Sequence, residues 1–185
     1  MVMLRVRLIL AGVAVVGLMG VGVNAGAQQT SGAASPLAAC GPDGTQFKIM
    51  PNAVGGTTAP EPADKATVYV IELDDARHGL IFSRPPVRIG MDGDWVGALK
   101  EYSYLRFSAE PGTQHLCARW SHHGITALDA SLLNFDAEAG KTYYLRVRIT
   151  TTFKGPDFSV DLQPVSSDEG RFLVSETVPS VSQPK

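Results

Sequence analysis

Two hydrophobic patterns divide the chain: an unbroken apolar run near its start and a two-residue alternation through much of the remainder. The run spans residues 8–23, follows the basic residues Arg5 and Arg7, and ends at the small residues 25–27. A positive start, a short apolar core and a small-residue exit are the three parts of a secretory signal peptide. We therefore expect residues 1–27 to be a signal peptide and the protein to be periplasmic or extracellular.

The alternation that follows predicts β-strands. Residues 28–39 are rich in Ala, Ser and Gly and are expected to form a flexible leader. The pattern is clearest over residues 142–151, where core-facing positions alternate with the outward-facing Tyr144, Arg146 and Arg148. Some seven to nine short strands, joined by Gly and Pro turns, predict an all-β fold. We expect a single antiparallel β-sandwich of the immunoglobulin or PEGA type over residues 40–175.

A hairpin is predicted at Asp92-Gly93, a preferred residue pair for a type I′ turn. This turn pairs three sets of residues across the hairpin: Met91 with Asp94, Gly90 with Trp95, and Ile89 with Val96. Ile89 and Val96 then share the core face. The outer face carries Trp95, with Arg88 diagonal to it.

The C-terminal part contains the only helix signal after the apolar run. Ser166 and Glu169 have the spacing of a capping box, which predicts a short helix near residues 171–175. The Pro- and Ser-rich residues 176–185 are expected to be a disordered tail.

Length and charge narrow the range of partners. Without the first 27 residues, the 185-residue chain retains 158, enough for one domain with a hydrophobic core. Loss of Arg5 and Arg7 leaves 14 basic against 18 acidic residues, a net charge of −4. This balance gives no electrostatic reason to bind nucleic acid or to use a polybasic membrane anchor. A second long apolar run is missing, so no transmembrane segment is expected in the mature chain.

Two cysteines, Cys40 and Cys117, are present. In an oxidising compartment they are expected to form one disulfide, worth about 4 kcal/mol in the chain-entropy model. An alternative remains open, in which Cys40 carries a lipid and the protein is an anchored envelope lipoprotein. Residues 37–40 read Leu-Ala-Ala-Cys, the letters of a bacterial lipobox. A lipoprotein signal places that cysteine directly after the apolar core, whereas here polar and small residues 24–36 intervene.

A second alternative for the function is a metal-binding or small hydrolytic protein centred on three histidines. His115, His122 and His123 lie close in sequence to Asp129, and imidazoles with a carboxylate are zinc or copper ligands. An exposed loop with a surface histidine explains the same residues more simply. There is no Gly-x-Ser-x-Gly nucleophile motif. We therefore expect no enzymatic activity and no cofactor, with a small hydrolase kept only as a remote option.

The outward-facing stripe of Tyr144, Arg146 and Arg148 is the most distinctive predicted surface. Aromatic and guanidinium groups together stack on sugars or pair with acidic polymers. Trp95 and Arg88 form a similar pair on the predicted hairpin. These five residues are the candidate ligand surface, and the expected partner is an envelope glycan or a protein.

Four segments together resemble the bacterial domain-of-unknown-function family 2846, and more distantly the PEGA-type β-sandwich modules of bacterial surface proteins. The resemblance extends from about residue 40 to residue 175. It implies an exported, often lipidated envelope protein without an established reaction, and it supplies no catalytic residues. The expected function is accordingly a non-enzymatic accessory domain, binding or structural, of the cell envelope. The segments are Asp64-Lys65-Ala66-Thr67-Val68-Tyr69-Val70, Val87-Arg88-Ile89-Gly90-Met91-Asp92-Gly93-Asp94-Trp95-Val96-Gly97, Glu110-Pro111-Gly112-Thr113-Gln114-His115-Leu116-Cys117 and Ala139-Gly140-Lys141-Thr142-Tyr143-Tyr144-Leu145-Arg146.

Overall fold

Ten β-strands and one α-helix form the described part of the chain, which in this computed structural model comprises residues 37–51, 62–73, 86–120, 130–151 and 158–185. These residues belong to one compact unit, Ala33–Lys185. The predicted all-β sandwich with a short C-terminal helix is confirmed. The elements are β1 (Phe47–Pro51), β2 (Ala66–Glu72), β3 (Val87–Met91), β4 (Asp94–Leu99), β5 (Ser103–Ala109), β6 (Gly112–Trp120), β7 (Ala130–Ala137), β8 (Thr142–Thr151), β9 (Phe158–Val165), α1 (Ser167–Ser175) and β10 (Val178–Pro184).

The strands form two sheets, one of six strands in the order β1-β10-β5-β2-β8-β9 and one of four in the order β4-β3-β6-β7. The sandwich is not wholly antiparallel as predicted, because β2 pairs with β8 and β10 pairs with β5 in parallel. The chain enters the four-stranded sheet between β2 and β8. Two strands that meet after such an excursion are free to run in the same direction, whereas hairpin neighbours must be antiparallel.

The core lies between the sheets and follows the predicted alternation. Val68, Val70, Ile89, Leu116 and Val147 are fully buried, and they project from four strands into one hydrophobic cluster. Burial of a side chain of this size contributes about 1.5–3 kcal/mol. The two-residue period of strands β2, β3, β6 and β8 therefore decides which side chains enter the core.

The β3–β4 hairpin has the predicted turn but only part of the predicted register. Asp92 and Gly93 adopt φ angles of 50° and 96°, as a type I′ turn requires. Met91 pairs with Asp94 and Gly90 with Trp95, but Ile89 faces Gly97, since a bulge shifts the register by one residue. The predicted pairing of Ile89 with Val96 is therefore wrong.

The C-terminal residues expected to be a disordered tail form strand β10 instead. All five residues of β1 pair with β10, and Val178 and Pro179 pair with β5. Proline and serine have low strand propensity, but the main-chain bonds to two neighbouring strands outweigh it. Residues 178–184 thus belong to the β-sandwich, which extends beyond the predicted boundary at residue 175.

Serine hydroxyls join the two sheets along both sides of the sandwich. On one side, the Ser180 hydroxyl donates to the Ala98 carbonyl (3.0 Å), and the Ala98 N–H donates to the Ser182 hydroxyl (2.9 Å). On the other side, the Leu162 N–H donates to the Ser131 hydroxyl (3.0 Å). These bonds satisfy main-chain groups at sheet edges that would otherwise lack a partner strand.

Helix α1 begins as the capping signal predicts. Ser166 is the N-cap, and its hydroxyl accepts a hydrogen bond from the Glu169 N–H (3.2 Å). The helix starts at Ser167, a few residues before the predicted position. Within the described ranges, no helix has both the length and the apolar composition needed to cross a membrane.

The expected signal peptide, residues 1–27, lies outside the described residues, as does most of the expected leader. Its last residues, 37–39, form a turn in which the Cys40 N–H donates to the Leu37 carbonyl (2.9 Å). This part of the leader is therefore ordered, contrary to the expectation of a flexible segment.

Candidate functional site: a tyrosine–arginine face

Five side chains form a tyrosine–arginine face on the outer side of the six-stranded sheet. They are Tyr69 on β2, Tyr104 and Arg106 on β5, and Tyr144 and Arg146 on β8. Tyr69 lies opposite both Arg106 and Tyr144 in the strand register. On each strand these residues alternate with residues that point into the core. Their side chains therefore lie on the outer face of the sheet.

The rings of this face cover one another. Tyr69 and Tyr144 have centroids 5.2 Å apart and planes 17° apart. The two rings therefore stack, with an offset between their centroids. The Arg106 guanidinium lies over the Tyr69 ring, 5.9 Å from its centroid, and comes from the strand on the other side. Tyr69 thus has an interacting side chain on each of the two neighbouring strands, β8 and β5.

Tyr104 extends the row toward the middle of the sheet. Its centroid lies 5.7 Å from that of Tyr69, with the planes tilted by 49°. The three tyrosines therefore form a row across β5, β2 and β8, one ring per strand. Within the described part of the chain, none of the three phenol hydroxyls hydrogen-bonds to a protein group.

Helix α1 packs on one end of the face. A Cβ atom at Gly170 would collide with the Cβ, Cγ and Cδ1 atoms of Tyr144, so only glycine lets the helix approach this closely. Arg146 is only 9% exposed and its Nη1 lies 3.5 Å from the Glu169 carboxylate. The prediction that Arg146 faces solvent is therefore wrong, because the helix covers it. Tyr144 is half-buried, and Arg148 is exposed as predicted.

Burial changes the acidity of two tyrosines. The pKa of Tyr104 is raised, mainly by burial and then by Tyr69, while the Arg106 charge acts in the opposite direction. The pKa of Tyr144 is raised by the same two causes and lowered in part by the Arg171 charge. The phenols therefore stay neutral well above physiological pH and are available as both donors and acceptors.

These shifts predict a loss of stability at alkaline pH. A phenol with a raised pKa in the folded state ionises first in the unfolded chain, so its stabilising contribution is complete below pH about 10 and is lost as the pH rises through the folded-state pKa. We expect Tyr104→Phe and Tyr144→Phe together to reduce the fall in melting temperature between pH 9 and 11. Parallel melting curves of parent and variant measure this, and an unchanged alkaline slope would contradict it.

Trp95 and Arg88 do not join this face, because they lie on the four-stranded sheet. The Arg88 guanidinium lies over the Trp95 ring, 4.5 Å from its centroid, so the two side chains are neighbours as predicted. Residues 37–45, here called the N-terminal strap, cover both. Trp95 Nε1 donates to the Pro42 carbonyl (2.8 Å) and Arg88 Nη1 to the Thr45 carbonyl (2.9 Å). Arg88 is buried, so this pair is not the open ligand surface that was predicted.

The strap is also held by the cysteine pair. Cys40 and Cys117 are bonded in the structure, with Cα atoms 5.1 Å apart. The distance is normal for a disulfide. Gly90 makes room for the strap, since a Cβ there would lie 2.8 Å from the Ala39 carbonyl oxygen.

The candidate metal ligands are only partly described. His115 is exposed on β6, with Nδ1 3.1 Å from Asp92 Oδ1, and its main-chain N–H donates to the same oxygen (3.0 Å). His122, His123 and Asp129 lie outside the described residues. Among the residues that are described, no three His, Cys, Asp or Glu side chains are grouped closely enough to hold a metal ion.

Tyr69, Tyr104 and Arg106 were not predicted as members of the site. Strand β2 is apolar at nearly every position, a pattern typical of a strand that is covered on both faces. Ile71 fits this pattern, since it is fully buried on the outer side, but Tyr69 on the same side is only half-buried. The available signal was the alternation of Tyr69 with Val68 and Val70.

Comparison of the chain with protein-family models, with curated proteins and with solved structures finds no match.

Proposed function

We propose that this protein is an exported, non-enzymatic accessory domain of the bacterial cell envelope that binds a ligand through its tyrosine–arginine face. The observation that carries the proposal is the row of three tyrosines across three strands, with Arg106 over the central ring. Tyrosine and arginine are among the residues enriched where proteins bind partners, because they combine a large contact area with hydrogen-bond donors.

Export is supported by sequence and by geometry. Residues 1–27 have the three parts of a signal peptide, and the resemblance to family 2846 implies an envelope location. The cysteine pair lies at disulfide distance, and disulfides persist mainly outside the cytoplasm.

A lipid anchor on Cys40 is less well supported than a disulfide. Lipidation of a lipobox cysteine uses its sulfur atom, and in the structure that atom is bonded to Cys117. The sulfur serves one role or the other, and its placement beside a fully buried Cys117 favours the disulfide.

Loss of the tyrosine row is expected to weaken retention of the protein on the envelope. We expect Tyr69→Ala with Tyr104→Ala to weaken binding to envelope fractions by about 2 kcal/mol or more, roughly 30-fold, as for central interface residues. Co-sedimentation with isolated peptidoglycan and with membrane fractions measures the retained protein. Arg146 is left intact, because it is buried beneath α1 and its loss would disturb folding.

The matched control is Leu132→Ala, which removes an exposed apolar side chain from β7 on the other sheet. It is expected to bind as the parent does. Equal retention of parent, double variant and control, with unchanged melting temperatures, would exclude the face as the binding surface.

A further inference from the structure

Two arginines stand directly opposite each other on the four-stranded sheet, beneath the N-terminal strap. Arg88 of β3 and Arg119 of β6 are partners in the strand register. Like charges in such a pair destabilise a sheet. The strap offsets the repulsion, because the Asp43 carboxylate pairs with Arg119. The same two neighbours act on the pKa of Arg88, which burial and then the Arg119 charge lower and the Asp43 charge raises.

The sheet holds the strap in the manner of a bound peptide. Two of the contacts use main-chain carbonyls of the strap, which accept hydrogen bonds from side chains of the sheet. The Pro42 carbonyl accepts from Trp95 Nε1 (2.8 Å), and the Thr45 carbonyl accepts from Arg88 Nη1 (2.9 Å). The carboxylate of Asp43 supplies the third contact. An acidic peptide from another protein possesses the same groups.

The strap satisfies Arg88 only in part. Arg88 is 7% exposed, and its Nε has no hydrogen-bond partner among the described residues. A buried N–H without an acceptor lowers stability. A carboxylate accepts hydrogen bonds from two guanidinium nitrogens at once, whereas the single Thr45 carbonyl reaches Nη1 alone. A peptide with an acidic side chain at this place therefore fits Arg88 better than the strap does.

The disulfide keeps the strap in place. The bond joins Cys40 of the strap to the fully buried Cys117 of β6. The other anchors are weaker, since the side chain of Asp43 is 85% exposed and exposed ion pairs contribute little. Without the bond, a few hydrogen bonds must offset the conformational entropy of the whole strap.

We propose that this side of the four-stranded sheet is a binding site for an acidic peptide of a partner protein, open in the dithiol form and closed by the strap in the disulfide form. Acidic side chains of the peptide pair with Arg88 and Arg119, and Trp95 Nε1 donates to a peptide carbonyl. The strap is the internal ligand of the same site. The site lies on the other sheet from the tyrosine–arginine face, so its failure leaves the proposed function unchanged.

Closure of the site is a two-electron oxidation. The thiols of Cys40 and Cys117 lose two electrons and two protons as their S–S bond forms. A disulfide-bonded exchange partner accepts them and leaves as a dithiol. Opening is the reverse exchange, in which a dithiol is oxidised and both cysteine thiols are restored.

Opening of the strap is tested by quenching of tryptophan fluorescence in the full chain, with and without dithiothreitol. We expect reduction to raise the quenching constant of iodide about threefold or more, and to raise that of neutral acrylamide less, because the arginines attract an anion. The second tryptophan, Trp120, is only 4% exposed. Trp95→Phe is therefore expected to remove the increase. Cys40→Ala with Cys117→Ala is expected to reproduce the reduced state without dithiothreitol.

The ligand class is tested by titration of the reduced and oxidised chains with hexaglutamate, hexaglutamine and free glutamate, followed by tryptophan fluorescence. We expect the reduced chain to bind hexaglutamate about tenfold or more tightly than the oxidised chain does. Arg119→Gln is expected to weaken this binding about fivefold, because it removes one of the two charges. Arg171→Gln is the matched control, since it removes an exposed arginine from α1 and is expected to change nothing.

Three results would overturn the inference. Equal iodide quenching of the oxidised and reduced chains would show that the strap stays closed. Binding of hexaglutamine or free glutamate as tight as that of hexaglutamate would exclude an acidic peptide as the ligand. Loss of the cooperative thermal transition in both the reduced chain and the double alanine variant would show that the dithiol form has no folded site.

Discussion

Replacement of Cys40 and Cys117 by alanine together is expected to lower the free energy of unfolding by about 4 kcal/mol. The disulfide spans 77 residues and joins the N-terminal strap to the fully buried Cys117 of β6. Without the link, the unfolded chain gains the entropy of that long loop. The strap then depends on bonds such as Trp95 Nε1 to the Pro42 carbonyl, which contribute only about 1 kcal/mol each.

Urea unfolding of the parent and of the double alanine variant measures the difference. Intact mass before and after reduction shows whether the parent forms the bond, with a gain of about two daltons if it does. A reductant is expected to lower the unfolding midpoint of the parent and to leave that of the variant unchanged. Coincident midpoints for parent and variant without reductant would contradict the predicted contribution.

Truncation of Leu173 to alanine is expected to cost about 2–4 kcal/mol of stability. Leu173 is 2% exposed and is a buried residue of α1, the helix that packs on β8 and β2. Its loss leaves a cavity beneath a helix of only nine residues, which is too short to be stable without tertiary packing. Since the same helix carries Gly170 and Glu169, we also expect weaker packing around Tyr144 and Arg146.

The neighbouring Phe172 provides the matched control, because it is 59% exposed on the same helix. Phe172→Ala is expected to change stability by less than about 0.5 kcal/mol. Thermal melts give the stabilities, and near-ultraviolet circular dichroism reports the tyrosine environment. If the two variants were equally stable, α1 would not be held by its buried face.

The sequence predicted the local features of the fold from short patterns. The alternation of residues 142–151 identified Leu145, Val147 and Ile149 as core residues, and all three are buried. Asp92-Gly93 forms the predicted turn, and Ser166 forms the predicted cap. Each of these signals depends on backbone conformation or side-chain direction over a few residues.

The candidate site was only partly predictable. Tyr144 and Arg148 are at least partly accessible, as the strand period indicates, but Arg146 in the same stripe is covered. Alternation identifies which face of a strand a residue occupies. It does not show that a helix formed after β9 returns across that face and brings Glu169 to Arg146.

The period of the strands, the turns and the helix cap are readable from the chain, because each depends on residues that are neighbours in sequence. The row of Tyr69, Tyr104 and Tyr144, and the completion of a sheet by residues 178–184, follow from the fold. These contacts join residues far apart in the chain. They depend on strand order and on main-chain pairing, which a proline- and serine-rich segment such as β10 provides without any hydrophobic pattern.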